Sequence, residues 1–253
     1  MIGIACFKKE WLEHCRSSRI TILGILFILF GIMNPAIAKL TPMLLESLSD
    51  SMETGGIQIT QVTVTAMDSW VQFYKNIPMA LIAFVLLEGG IFTKEYQSGT
   101  LILTLTKGLP RYQVVLSKSL MTVLLWSAGY WLCYGITYAY NDYYWDNGVA
   151  QNLAVAAIYW WVFGLWVISL LIFFSSVFSA SSGVLLGTGS VVVAAWLLSV
   201  IPKAAPYLPT ALTGGSSMLQ PGAETDIYPL LITLSLFVIS ILASIFTFNK
   251  KQL

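Results

Sequence analysis

Charge is scarce in this sequence. Only 10% of its 253 residues are charged, where soluble globular chains carry about a quarter. With 57% hydrophobic residues and a mean hydropathy of +0.77, a water-soluble fold is excluded and an integral membrane protein is implied. The net charge of +1 is too small for a nucleic-acid binder, which needs a concentrated basic face to neutralise phosphates. Cys6, Cys15 and Cys133 form no paired framework and no metal-ligand spacing, so they read as reduced thiols. The glycine-rich loop ending in Lys-Ser/Thr that cradles a nucleotide's phosphates is missing too. Lys8, Lys9, Glu10, Glu13, Arg16 and Arg19 precede the first apolar run, so that run is expected to remain as an anchor rather than be cleaved.

What is present is a succession of long uncharged runs. Ile4, Phe7, Trp11 and Cys15 recur at three- and four-residue spacing ahead of them, which predicts an amphipathic helix over 3–17 lying in the membrane interface. The lone His14 on that helix, without ligand-spaced companions, reads as a surface residue. Residues 20–38 are uncharged and long enough to cross a core of roughly 30 Å at 1.5 Å per residue. A polar loop with Glu46, Asp50, Glu53, Gly55, Gly56 and Asp68 follows, then spans expected at 76–93 and 119–141. No charge separates Asp146 from Lys203, a run that as one helix would be roughly 84 Å long. It must reverse, and the small residues from Ser175 to Gly183 mark the place, giving spans at 153–174 and 183–201. A segment containing Pro202, Pro206, Pro209, Gly214, Gly215, Pro221 and Gly222 leads to a sixth span at 227–249. The expected fold is an all-α integral membrane protein, a single transmembrane domain over 1–253 with six transmembrane helices.

Six spans put both termini on one side. Placing the N-terminal segment, residues 94–118 and the C-terminus in the cytoplasm leaves only Lys39, Lys75 and Lys203 among the basic residues outside, as the excess of inward positive charge requires. A multi-pass protein of the cell membrane with both termini cytoplasmic is expected.

The segment from Lys94 to Lys118 is the densest internal cluster of charge. It could be a solvated connector, but Leu101, Leu103 and Leu105 are too apolar for one. Ser98 or Gly99 can start a short helix there that Gly108, Leu109 and Pro110 end, with Lys107, Arg111 and Lys118 beside it. Glu95-x-x-Ser98-Gly99-Thr100, the leucine-rich run, and Arg111-x-x-Val114-Val115-Leu116-x-Lys118 together resemble the signature of type-2 ABC exporter permeases. Gly108 stands where that family often has proline, and Pro110 lies directly before Arg111.

The resemblance implies a cytoplasmic coupling helix between spans two and three, seated on a separate ABC ATPase subunit. Glu95, Ser98, Gly99, Thr100, Leu101, Gly108, Pro110, Arg111 and Lys118 would be the candidate interface. It also implies a second copy of the chain, an interfacial helix before span one, and a proline-rich external segment between spans five and six. No cofactor is expected in this chain, with ATP and Mg in the partner subunit, so the chain is not itself an enzyme. In size and layout it is similar to permeases of Gram-positive peptide-toxin exporters such as the phenol-soluble modulin system, which implies amphipathic or hydrophobic peptide cargo.

Within the spans, Glu88 is a carboxylate where charge is costly. It reads either as an interfacial group paired with a basic residue or as a lining of the inner vestibule. Trp126, Tyr130, Tyr134 and Tyr138 recur every four residues, as packing or as a pathway wall, and Tyr143, Tyr144 and Trp145 resemble an interfacial belt. Ser179, Gly183 and Gly187 form a small-x-x-x-small face for a neighbouring span or a second protomer. Two readings of function compete with a peptide exporter. An exporter of antibiotic or sodium ions shares its architecture, and an ion-driven carrier or channel would place several polar groups near the midplane, where only Glu88 is available.

Overall fold

The computed structural model describes residues 2–52, 64–100, 106, 110–223 and 225–251, with side chains from Cys6 to Met43 and from Val64 onward. The described residues form helices joined by short turns. They are α1 (Ile2–Arg16), α2 (Arg19–Met52), α3 (Ala66–Glu88), α4 (Thr93–Gln97), α5 (Arg111–Tyr144), α6 (Leu153–Val177), α7 (Ser181–Leu198) and α8 (Tyr228–Lys250). Six of them, all but α1 and α4, are long and apolar enough to cross a bilayer.

Several helices run beyond the apolar windows. α3 starts at Ala66 rather than near residue 76, because Asp68 serves it instead of breaking it. The Asp68 carboxylate accepts the backbone N–H of Thr65 at 2.8 Å, closing the first turn. α5 starts at Arg111 rather than near residue 119, since Lys118 is buried and paired rather than left in lipid. The expected reversal falls at Phe178–Ala180, between the end of α6 and the start of α7.

α6 is the central helix, apolar almost all round and enclosed along most of its length, and α8 packs along it. α2 packs against α3 and α5. Pro35 lies inside α2 and has no N–H to give the Gly31 carbonyl one turn earlier. The Thr137 hydroxyl donates to that carbonyl instead, at 3.0 Å. It also accepts from the Asn34 side-chain amide at 3.2 Å, and the Asn76 amide donates to the Asn34 oxygen at 2.9 Å. All three side chains are buried, so a polar chain ties α2, α3 and α5 together inside the bundle. Gly31 lets α2 and α5 approach, since a Cβ there would lie 3.0 Å from Ile136 and 3.1 Å from the Cys133 carbonyl.

The proline- and glycine-rich segment folds back as two 3₁₀ turns, Ala205–Tyr207 and Pro209–Thr213, and a short helix, Gly215–Met218. It caps the ends of α3 and α6. The Trp160 indole donates to the Thr213 carbonyl at 3.1 Å and the Tyr159 hydroxyl to the Asp226 carbonyl at 2.8 Å. Gly215 abuts the Tyr74 ring so closely that a Cβ would overlap it.

Candidate functional site

At the end of the bundle opposite this cap, the charges that the sequence scatters over more than a hundred residues converge. On α1, Cys6, Glu10 and His14 follow one another at four-residue intervals, which stacks them on one helical line. That line is the buried one. Trp11, Leu12 and Cys15 are exposed together with Lys8 and Arg16, so α1 turns the Cys6–Glu10–His14 line toward the protein and a mixed basic and apolar side away from it.

Two ionic groups result. In the first, Lys118 of α5 donates to Glu10 at 2.9 Å and lies 3.3 Å from Glu95 of α4, while Lys9 donates to Glu95 at 2.7 Å. Glu13 leans toward the same place, with carboxylate oxygens of Glu10, Glu13 and Glu95 within 4.8 Å of one another. The Cys6 thiol and Ser117 hydroxyl meet beside them at 3.0 Å. In the second, the His14 ring lies 3.3 Å from Glu88, and Arg19 approaches the same Glu88 oxygen at 3.8 Å. The other ring nitrogen of His14 faces the Glu10 carbonyl at 2.9 Å.

These pairings explain how the chain keeps charge out of water. A buried ion loses several kcal/mol of solvation, about 3–5 of which return as destabilisation when one partner of a pair is removed. Burial opposes the charge on His14, but the hydrogen bond to Glu88, the backbone contact and the carboxylate's charge outweigh it and raise its pKa above the usual histidine value. Lys9 is raised in the same way: burial works against its charge, and Glu95, Glu10 and Glu13 more than compensate. His14 is therefore buried rather than on the surface, because its companion Glu88 lies 74 positions further along the chain.

The polar segment from Lys94 to Lys118, a hinge between α3 and the body of α5, is held with the residues leading into it by further contacts. Phe92 and Thr93 are fully buried, and the Thr93 hydroxyl meets Ser181, the first residue of α7, at 2.7 Å. α4 ends at Gln97 with Ser98 as its C-cap, and Gly99 takes a left-handed φ of 69°, which glycine adopts without a Cβ penalty. Ser98 and Thr100 hydroxyls meet at 2.8 Å. Leu101, Leu103, Leu105, Lys107 and Gly108 lie outside the described residues. Pro110 precedes α5 in an extended conformation. Arg111 donates to the carbonyls of Phe248, Asn249 and Lys251 at 3.2, 3.2 and 2.6 Å, capping the C-terminus of α8. Lys251 in turn caps α6 through the carbonyls of Ser176 and Val177 and sits 4.1 Å over the Tyr96 ring. Burial lowers its pKa. The hinge is thereby joined at once to α1, α5, α7 and α8.

Of the other sequence-predicted residues, Glu88 belongs to the second ionic group and the rest lie elsewhere. Glu88 is fully enclosed in the ionic group. Trp126 and Tyr130 are buried between helices, with the indole donating to the Trp161 carbonyl at 3.3 Å and the phenol to Ala157 at 2.8 Å. Tyr134 stacks with Tyr138 and lies against Trp70 and Phe73. Gly183 and Gly187 face Phe178 and Phe174 of this same chain, while Ser179 is exposed in the turn. The cavity that the aromatic spacing does not reveal is a groove of about 510 Å³ between α3, α6 and α7. It is lined mainly by apolar side chains, among them Leu81, Val85, Phe163, Val167, Val192 and Trp196. Because α6 is apolar on every side, no sequence period separates its groove-lining positions from its packed ones.

A six-helix membrane bundle with an ionically wired hinge at one end defines the chain as a multi-pass membrane domain. Residues 4–224 match the ABC-2 family transporter protein family, and the chain belongs to that family. It is also 23% identical over 262 residues to the uncharacterized transmembrane protein YxlG of Bacillus subtilis (strain 168), a match covering 99% of this chain and 98% of that protein. Membership makes the chain a membrane subunit that works with an ABC ATPase.

Proposed function

We propose that the chain is the permease subunit of an ABC exporter that moves amphipathic or hydrophobic cargo, of which peptides and peptide toxins fit best, out of the cell. ATP and Mg are bound and hydrolysed in the separate ATPase subunit, which seats on the hinge in the cytoplasm, and a second copy of this chain completes the pathway. Both termini then lie in the cytoplasm with the hinge.

The observation that carries this reading is the attachment of the hinge. A connector has no need of buried ion pairs, yet Glu95 and Lys118 bind both ends of this one to α1, and Arg111 binds it to α8. A push on α4 is therefore delivered to several spans together rather than absorbed locally. The largely apolar groove between α3, α6 and α7 suits cargo with hydrophobic surface and offers no set of charges for a small ion.

The test is co-expression of the chain with its neighbouring genes, followed by purification. An ATPase subunit is expected to co-elute, and Gln97→Arg with Ser98→Arg, both at exposed positions beside the intact Glu95 pair, is expected to release it. A chain that purifies alone and carries an ion across liposomes without ATP would overturn the proposal.

A further inference from the structure

The outward side of α1 is as organised as its inward one. Its carboxylates Glu10 and Glu13 are gathered toward Glu95 and the lysines of the buried cluster. Lys8, Leu12 and Arg16, spaced four apart, form the stripe that remains exposed, with Trp11 and Cys15 alongside. A shallow groove runs there, lined by Lys8, Lys9, Leu12, Glu13, Arg16 and Ser17. Of the helix's charged groups, Glu10 and His14 are buried, Lys9 and Glu13 lie between the cluster and the groove, and Lys8 and Arg16 are exposed.

Its place along the bundle is fixed as well. Only Ser17 and Ser18 separate α1 from Arg19, where the first span begins. α1 is therefore held at the bilayer's edge, the depth at which lipid phosphates lie and tryptophan partitions.

We propose that the Lys8–Leu12–Arg16 stripe binds the phosphate headgroup of an anionic glycerophospholipid, with Trp11 and Leu12 entering the boundary of the acyl chains. Charge complementarity selects the occupant. Two exposed cations flank an exposed leucine, and with Lys9 the groove carries three basic residues against one acid, Glu13, whose carboxylate lies within 4.8 Å of those of Glu10 and Glu95. A zwitterionic lipid satisfies the apolar residues equally well but carries a compensating cation. Lys9 is shared between the groove and Glu95, so a lipid phosphate there acts directly on the ionic group that holds the hinge.

The experiment uses the full chain purified in a neutral detergent and offered phosphatidylglycerol or phosphatidylcholine, with retained lipid read by native mass spectrometry. Phosphatidylglycerol is expected to be retained in preference. Lys8→Gln and Arg16→Gln, singly and together, are expected to weaken that retention about fivefold per charge removed, the scale of about 1 kcal/mol per basic residue near an anionic surface. Lys94→Gln, which removes an exposed charge outside the groove, is expected to leave it unchanged. Equal retention by the double variant, or an equal loss in Lys94→Gln, overturns the proposal. So does a double variant that keeps the lipid preference while losing a protein partner, since the stripe would then be a protein interface. The single variants, each removing one exposed charge, keep the result readable if the double variant folds poorly.

Discussion

Lys118 and Glu10 stand 108 positions apart in sequence and 2.9 Å apart in space, and both are buried. Each removes the other's cost of leaving water, so neither can be lost alone. Lys118→Met, which keeps most of the length of the side chain, is expected to leave the enclosed Glu10 without its closest cation and to cost about 3–5 kcal/mol. Combining it with Glu10→Gln should recover part of that loss, because the two effects are not independent. Thermal unfolding of the four chains in detergent measures the coupling, and additive losses would show that the pair contributes nothing.

His14 gives the attachment of α1 a pH dependence. The imidazolium is favoured by Glu88 in the folded chain, so the folded pKa lies above the usual 6.5. A group raised in this way contributes its full stabilisation below its unfolded pKa and loses it as pH rises through the folded value. Arg19 also faces Glu88 and keeps that carboxylate partly compensated after His14 loses its proton. The wild-type chain should therefore lose stability as pH rises above 6.5, while His14→Gln should be lower at acidic pH and nearly flat through the same range. Identical pH profiles would show that His14 is neutral when buried.

The Thr137 hydroxyl accounts for the carbonyl that Pro35 cannot serve. Thr137→Val preserves shape but removes the donor to the Gly31 carbonyl and a partner from the buried Asn34. A loss of about 1–3 kcal/mol is expected from the unmade bonds. Thr137→Ser restores the hydroxyl and should recover most of it. Comparing the three melting curves separates lost hydrogen bonding from lost packing.

The number of spans was legible in the sequence because uncharged runs long enough to cross a bilayer have few other uses. Their ends were not. Asp68 and Lys118 look like breaks in a hydropathy window, whereas one closes a helix start and the other is neutralised by residues far away in the chain. The hinge stood out by its polarity, but the partners of its charges lie on α1 and at the end of α8. His14 looked solitary for the same reason. Trp126 and Tyr130 showed their four-residue stripe plainly, yet spacing alone cannot distinguish a stripe facing α6 from one facing a pathway, and both give their polar atoms to backbone carbonyls of α6.

Gly187 carries the remaining prediction. A Cβ at this position would lie 2.6 Å from the Phe174 ring of the same chain, too close for any side chain unless the ring moves. The small face of α7 thus lets α6 approach, whatever a second protomer does elsewhere. Gly187→Leu is expected to overpack this contact and destabilise the single chain by about 1–3 kcal/mol. Truncating the ring with Phe174→Ala opens space at the same point, so the double variant should be more stable than Gly187→Leu alone. If Gly187→Leu instead left the melting curve unchanged and altered only the oligomer seen by crosslinking, the glycine would belong to an interface between copies. Rescue by Phe174→Ala cannot come from such an interface, because the two residues already touch within one chain.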